Sequence, residues 1–302
     1  MKLVLNTWHF NAGMNKDNAG EVFDTMDRVF DENEIPSELR GATTFAVPGD
    51  LELADIIRGQ VENRNYGTIT YTGFNPKGPE IVTEDGHKDA IYLMNQFGEF
   101  TLQGTPEGME PILSGPSHTS HLTKIIGGTL LDPETQQYLV SGLKEVAQAN
   151  PKVTFAFETL QRGESYVLST NEDAVYILKK VEEPNVGINY DIVHVRKMKG
   201  PDNVVPDLKW VLDQGIPIND VHVCEDDRLE FGRGDMGAIL PQVLSLLHGA
   251  GYKKGVLPEG FESGMDGLVG ITERDATQQD YVAVASRGIG FVYKEMQKQG
   301  IN

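Results

Sequence analysis

Short apolar runs, each followed by a polar loop and an amphipathic stretch, recur along the chain. The clearest runs lie at residues 3–5, 153–157, 186–188, 221–223 and 255–257, with weaker ones at 42–47, 67–71 and 111–113. Their length and their β-branched and aromatic content predict strands, eight in all. The intervening stretches carry the period of a helix. After Asp132-Pro133-Glu134, the residues Leu139, Val140, Leu143, Val146 and Ala147 form one stripe, and Pro133 suits a first helical turn. Thr170 and Asp173 have the spacing of a capping box ahead of Ala174, Ile177, Leu178 and Val181. Leu240, Val243, Leu244 and Leu247 repeat the pattern, stopped by Gly249 and Gly251, and a last helix is expected over about residues 278–298. Strands alternating with helices predict a parallel sheet, and eight such units predict a (β/α)₈ TIM barrel in one domain over residues 1–302. A doubly wound open sheet is the alternative. Pro36, Pro48, Pro76 and Pro79 predict long loops in the first third.

Polar residues stand where the apolar runs end, and there the pattern turns from folding to chemistry. Glu158 follows Val153-Thr154-Phe155-Ala156-Phe157, and Asp191 follows Val186-Gly187-Ile188-Asn189-Tyr190. His222 lies in Asp220-Val221-His222-Val223, and Glu259 closes Gly255-Val256-Leu257-Pro258. All four fall at the carboxyl ends of different predicted strands, the catalytic face of a TIM barrel. Three carboxylates and one imidazole converging there would repel one another unless a cation joined them. Taken singly, each has an ordinary explanation as a helix cap or a salt-bridge partner. Hard oxygen donors with one nitrogen suit Mn²⁺, Mg²⁺ or Co²⁺.

The same segments resemble the xylose isomerase-like TIM barrels, and within them the D-tagatose and D-psicose (allulose) 3-epimerase branch. Phe157-Glu158-Thr159-Leu160-Gln161-Arg162-Gly163-Glu164 matches that branch's pair of glutamates six positions apart. Asp191-Ile192-Val193-His194 matches its Asp-x-x-His, and His222 through Arg228 its His followed six positions on by Arg. Gly232-Arg233-Gly234-Asp235 resembles its turn into a helix, and Gly251-Tyr252 precedes Glu259 at the family's offset. The motifs run in order over residues 153–262, whereas the first 150 residues share only the strand–helix rhythm.

The resemblance implies a metal-dependent sugar isomerase or epimerase acting through a metal-stabilised enediolate. Glu158, Asp191, His222 and Glu259 would hold the metal, with Mn²⁺ the leading candidate and Mg²⁺ or Co²⁺ the alternatives. Glu158 and Glu259 would be the acid/base pair on opposite faces of the sugar, and Glu164, His194 and Arg228 would contact its oxygens near the carbonyl. A dimer or tetramer is also implied. His118 and His121, in Ser117-His118-Thr119-Ser120-His121, follow the fourth predicted strand and would face the same side. His118 is a candidate substrate contact. Either histidine as an added acid or base would give the second reading, a lyase or dehydratase like the inosose dehydratases or C-glycoside-cleaving enzymes. Trp8 and His9, ending the first strand, could line the pocket, and core packing explains Trp8 as well.

Composition narrows the partners. The 26 basic against 45 acidic residues give a formal charge of −19, which opposes nucleic acid and anionic membrane surfaces. It also counts against phosphodiester cleavage of DNA, the activity of the abasic-site endonucleases that share this barrel; with only seven histidines, a metal cluster of their kind is hard to supply. Cys224 is the only cysteine, so an intramolecular disulfide and a four-thiolate zinc site are excluded. The first residues turn polar too soon for a signal peptide, and no apolar run is long enough to span a bilayer, so a soluble cytoplasmic protein is expected. Gly232-Arg233-Gly234 reads as a tight turn rather than a phosphate cradle, and Arg196-Lys197-Met198-Lys199 as a solvated loop.

Overall fold

A computed structural model describes residues 1–10, 14–74, 78–119, 132–162, 164–165, 167–225, 231–260 and 280–301. Eight strands close into a barrel in chain order: β1 (Lys2–Asn6), β2 (Arg40–Phe45), β3 (Thr68–Thr72), β4 (Ile112–Gly115), β5 (Thr154–Glu158), β6 (Val186–Asp191), β7 (Ile218–Val223) and β8 (Gly255–Pro258). All pairings are parallel, and β8 closes on β1 through Lys2 opposite Gly255. All eight expected segments fall on these strands, and the closure rules out the open sheet.

Helices follow the strands: α1 (Ala19–Glu32), α2 (Leu51–Arg64), α3 (His87–Gly104), α4 (Pro133–Ala149), α5 (Asn171–Val181), α6 (Ile192–Lys199), α7 (Val204–Asp213), α8 (Asp235–Gly249) and α9 (Tyr281–Lys298). The first third, expected to be loop-rich, carries α1, α2 and α3. Pro36 and Pro48 stand outside these helices, in the connections flanking β2, where a missing N–H costs nothing. Asp132 caps α4 by accepting the Glu134 N–H, with Pro133 in the first turn. The Thr170/Asp173 capping box is complete: each side chain accepts the other residue's backbone N–H at 3.2 Å. The basic cluster expected as a loop is the last turn of α6, where positive charge favours a helix C-terminus. Its Lys199 is held by Glu172 and by the buried carboxylate of Asp207, and Arg196 lies 3.5 Å from Asp235.

Alternation along the strands separates two environments. Leu3, Leu5, Ile69, Tyr71, Phe155, Phe157, Ile188, Tyr190, Val221 and Val223 belong to the apolar core. The alternate positions fill the barrel and are small or polar, among them Thr43, Thr70, Thr72, Ser114, Ala156 and Asn189. The floor closes around Val4. A Cβ at Gly41 would stand 3.1 Å from the Val4 methyl and one at Gly255 only 2.7 Å, so neither strand has room for a side chain there. The inward positions nearer the carboxyl ends are polar, among them Asn6, Thr72, Ser114 and Asn189. Among the described residues, no helix is long and apolar enough to cross a membrane.

The capping box gives a direct test of local design. Thr170→Ala removes the acceptor for the Asp173 N–H, and chemical denaturation should show a loss of about 1 kcal/mol.

Candidate metal centre

Four strands deliver one donor each. Glu158 and Asp191 are the last residues of β5 and β6, and His222 stands one before the end of β7. Glu259 follows β8 and continues the ladder through its N–H to the Val223 carbonyl at 2.8 Å. Asp191 lies directly opposite His222. One donor atom from each of Glu158, Asp191, His222 and Glu259 fits within a group 4.8 Å across, and all four side chains are buried. His222 Nδ1 is 3.6 Å from Glu158 Oε1 and 3.3 Å from Glu259 Oε1.

Burial acts on these groups in opposite directions. It raises the Glu158 carboxyl above its ordinary value; the Glu259 charge adds to this, and His222 and His194 oppose it. Burial works against a charged His222, but Glu259 and the contacts to Asp220 and Glu158 outweigh it, and the ring is raised well above the usual histidine range. The centre thus stores negative charge that a cation would relieve. Three oxygen donors and one nitrogen fit a hard divalent ion by number, chemistry and spacing.

Around this group the chain fixes orientation with backbone hydrogen bonds. Asp191 caps α6: its Oδ1 accepts the N–H of Val193 at 2.6 Å and that of His194 at 3.4 Å. Oδ2, turned the other way, lies 3.5 Å from His194 Nε2. His194 Nδ1 accepts the Gln161 N–H at 3.3 Å, so a neutral ring carries its proton on Nε2. That nitrogen is 3.6 Å from Glu158 Oε1 and 3.8 Å from Glu164 Oε2. Glu164 is buried and takes a 2.5 Å hydrogen bond from Gln161 Nε2. The His194 ring therefore stands close to both Glu158 and Glu164.

His118 leaves the carboxyl end of β4 and is buried edge-on against Phe157, with ring centroids 5.7 Å apart. Among the described residues neither ring nitrogen has a hydrogen-bond partner, and burial pushes its pKa down to about 3. Trp8 is buried too. Its Nε1–H donates to the Gly260 carbonyl at 3.1 Å and its ring stacks on Phe45 at 4.6 Å, tying β1 to the residue after Glu259. Arg228, His121 and the side chain of His9 lie outside the described residues.

Three residues near the centre were not singled out from sequence. Asp220 and Asn189 lie inside the barrel beside His222: Asp220 Oδ2 is 3.3 Å from Nε2, and Asn189 Nδ2 lies 3.2–3.3 Å from both ring nitrogens. A signal was available for Asp220, two residues before His222 on the same strand and so on the same face. The third is Glu225, whose buried carboxylate accepts the N–H groups of Gly232, Gly234, Met236 and Gly237 at 3.0–3.2 Å. It fills the amino end of α8, and a Cβ at Gly234 would lie 2.5 Å from its Oε2. The Gly232-Arg233-Gly234 turn is thus closed by the chain's own anion and leaves no phosphate cradle. Cys224 is buried in the core.

A closed barrel of eight parallel strands with helices between them is the (β/α)₈ TIM barrel. A family model described as the xylose isomerase-like TIM barrel matches residues 61–282, and the chain belongs to that family. No functionally curated protein matches it in sequence. Among solved structures, an L-ribulose 3-epimerase is 16% identical with a TM-score of 0.81, covering 100% of this chain and 98% of its own. A D-allulose 3-epimerase from Methylomonas sp. is 13% identical with a TM-score of 0.80, covering 98% of both chains. A D-psicose 3-epimerase from Clostridium cellulolyticum H10, solved with D-tagatose, is 16% identical with a TM-score of 0.79, covering 98% of this chain and 99% of its own. At these identities the likeness is one of fold.

His118 makes a pH-dependent prediction. From its usual value of 6.5 down to about 3, the unfolded chain binds a proton that the folded protein refuses. Stability should therefore fall as pH drops through that window, by up to about 1.4 kcal/mol per pH unit from this residue, and be indifferent to it above. Urea unfolding of wild type and His118→Phe at several pH values should show a shallower acid limb in the variant.

Proposed function

We propose that the chain is a divalent-metal-dependent isomerase or epimerase acting on a ketose or a related carbonyl sugar. The observation that carries this reading is the convergence of Glu158, Asp191, His222 and Glu259 on one buried point at the carboxyl ends of the strands. The similar folds of enzymes named as ketose 3-epimerases support it. We assign the ion as Mn²⁺ first, with Mg²⁺ or Co²⁺ as alternatives. When bound, it supplies Lewis-acid stabilisation of the negative charge that develops on the substrate's carbonyl oxygen.

The chain's own residues carry the protons. Glu158 and Glu259 reach the centre from β5 and β8, with β6 and β7 between them, so they approach a bound sugar from opposed sides. One, as a carboxylate, takes the proton α to the carbonyl, and the C–H electron pair becomes the C=C bond of an enediolate. The other, as a carboxylic acid, delivers a proton to the opposite face, which inverts the carbon. His194, with its proton on Nε2, donates to a sugar oxygen near the carbonyl, and Glu164 accepts from a hydroxyl. Arg228 is assigned to the same part of the sugar on the family motif. His118 is assigned as a neutral hydrogen-bonding contact.

Its low pKa weighs against His118 as the added general acid of a lyase, because the ring has no imidazolium proton to give at neutral pH. We also assign the whole chain, residues 1–302, to one barrel domain that is cytoplasmic, forms a dimer or tetramer and does not bind nucleic acid.

The test is to strip the protein with chelator, restore Mn²⁺, and incubate it with a panel of ketoses, inososes and glycosides in D₂O. We expect an isobaric product apart from one deuteron at the inverted carbon, formed only with metal. Glu158→Gln and Glu259→Gln should each lower kcat by roughly 10²–10⁴. Loss of water or release of an aglycone would move the protein to the lyases. Full activity after complete metal removal would overturn the proposal.

A further inference from the structure

We propose that Asp220 is a positioning residue for His222, holding the imidazole so that Nδ1 faces the ion and the ring proton sits on Nε2. The inference rests on the reading that Glu158, Asp191, His222 and Glu259 bind a divalent cation, and extends it to a residue outside that set.

An imidazole binds a metal through an unprotonated nitrogen, and a neutral ring has only one. Which nitrogen carries the proton is decided by what the other side of the ring meets. Here the two sides differ. Nδ1 faces Glu158 Oε1 and Glu259 Oε1, at 3.6 and 3.3 Å. Nε2 faces Asp220 Oδ2 at 3.3 Å. A carboxylate oxygen stands where it can accept from Nε2, so this placement puts the ring proton on Nε2 and leaves the Nδ1 lone pair for the cation.

Among the described residues, Asp220 Oδ2 has no other charged partner. It is 1% exposed, as is His222, and two residues away on β7 it shares the same inward face. Its Oδ1 takes the adjacent Val221 N–H at 3.0 Å, whereas Oδ2 has no hydrogen-bond donor aligned on it and meets only the His222 ring as a cationic partner among the described residues. The absent side chain of Gly255 leaves the space beside it, since a Cβ there would come within 3.4 Å of Oδ1. A buried carboxylate added below three others costs free energy, and packing offers no return for it. Orienting and polarising a ligand does: outer partners of this kind are typically worth ~10–100-fold in metal affinity. Asn189, within 3.3 Å of both ring nitrogens, is the other group that could hold the ring, so it belongs in the test.

Mn²⁺ affinity should be measured by calorimetry, with a competing chromophoric chelator, on wild type, Asp220→Asn, Asp220→Ala and Asn189→Leu. Circular dichroism of each metal-free form would check the fold. Nitrogen-15 spectra of the imidazoles, recorded with diamagnetic Zn²⁺, would report which ring nitrogen is protonated. We expect Asp220→Ala to bind Mn²⁺ 10–100-fold more weakly than wild type with an unchanged fold, and to lose the single Nε2–H tautomer at His222. Asp220→Asn, which keeps an acceptor but not the charge, should fall between them, and it carries the test if the alanine variant does not fold. Wild-type affinity and an unchanged tautomer in the Asp220 variants would overturn the proposal, and a loss confined to Asn189→Leu would transfer the role to Asn189. Failure of wild type itself to take up Mn²⁺ would overturn the metal-site reading, and this proposal with it.

Discussion

Two like charges 4 Å apart repel by ~4 kcal/mol even at an effective dielectric constant of ~20. At the carboxyl end of this barrel, Glu158, Asp191 and Glu259 bring donor atoms within 4.8 Å of one another with almost no access to water. Such a grouping persists only where the surrounding chain over-determines it. Much of the architecture answers to that constraint. The closed ladder β5 to β8 sets the spacing, and the apolar layer outside the strands keeps the ladder from relaxing.

The means of holding these charges are mostly backbone groups and imidazoles. Asp191 gives one oxygen to the first N–H groups of α6 and turns the other inward. The same turn brings in His194, whose far nitrogen is occupied by the Gln161 N–H. One short helix start therefore places a candidate ligand and a candidate substrate contact together. Glu225 does comparable work on the neighbouring loop, closing the amino end of α8 with four backbone hydrogen bonds. Neither device involves exposed ion pairs, which would be weak and sensitive to salt.

Local signals carried the strands of the second half well. Val153–Phe157 and Val186–Ile188 stand out because their outward positions, Phe155, Phe157 and Ile188, are large apolar residues of the core, while inward Ala156 and Gly187 are small. The weaker strands β2 and β3, with Arg40-Gly41-Ala42-Thr43-Thr44-Phe45 and Thr68-Ile69-Thr70-Tyr71-Thr72, were harder to see because their inward positions are Gly and Thr. The helices of the first third were masked by prolines that stand in the connections. The Arg196–Lys199 cluster read as loop because charge alone does not distinguish a solvated helix end from a turn.

What the sequence by itself determined is the alternation of strand and helix, the closed-barrel class it implies, the capping box at Thr170, and the candidate donors at four strand ends. These depend on periodicity and on neighbours a few residues away, which a linear chain displays. Tertiary structure alone decided that Glu158 and Glu259, 101 positions apart, lie against the same histidine nitrogen. It alone showed that His118 is buried without a hydrogen-bond partner among the described residues, and that Glu225 fills the Gly232–Gly234 turn. Those facts depend on barrel closure and on which way each side chain turns. Contacts between residues distant in sequence form only when the strands are closed into register, and no local pattern in the chain encodes them.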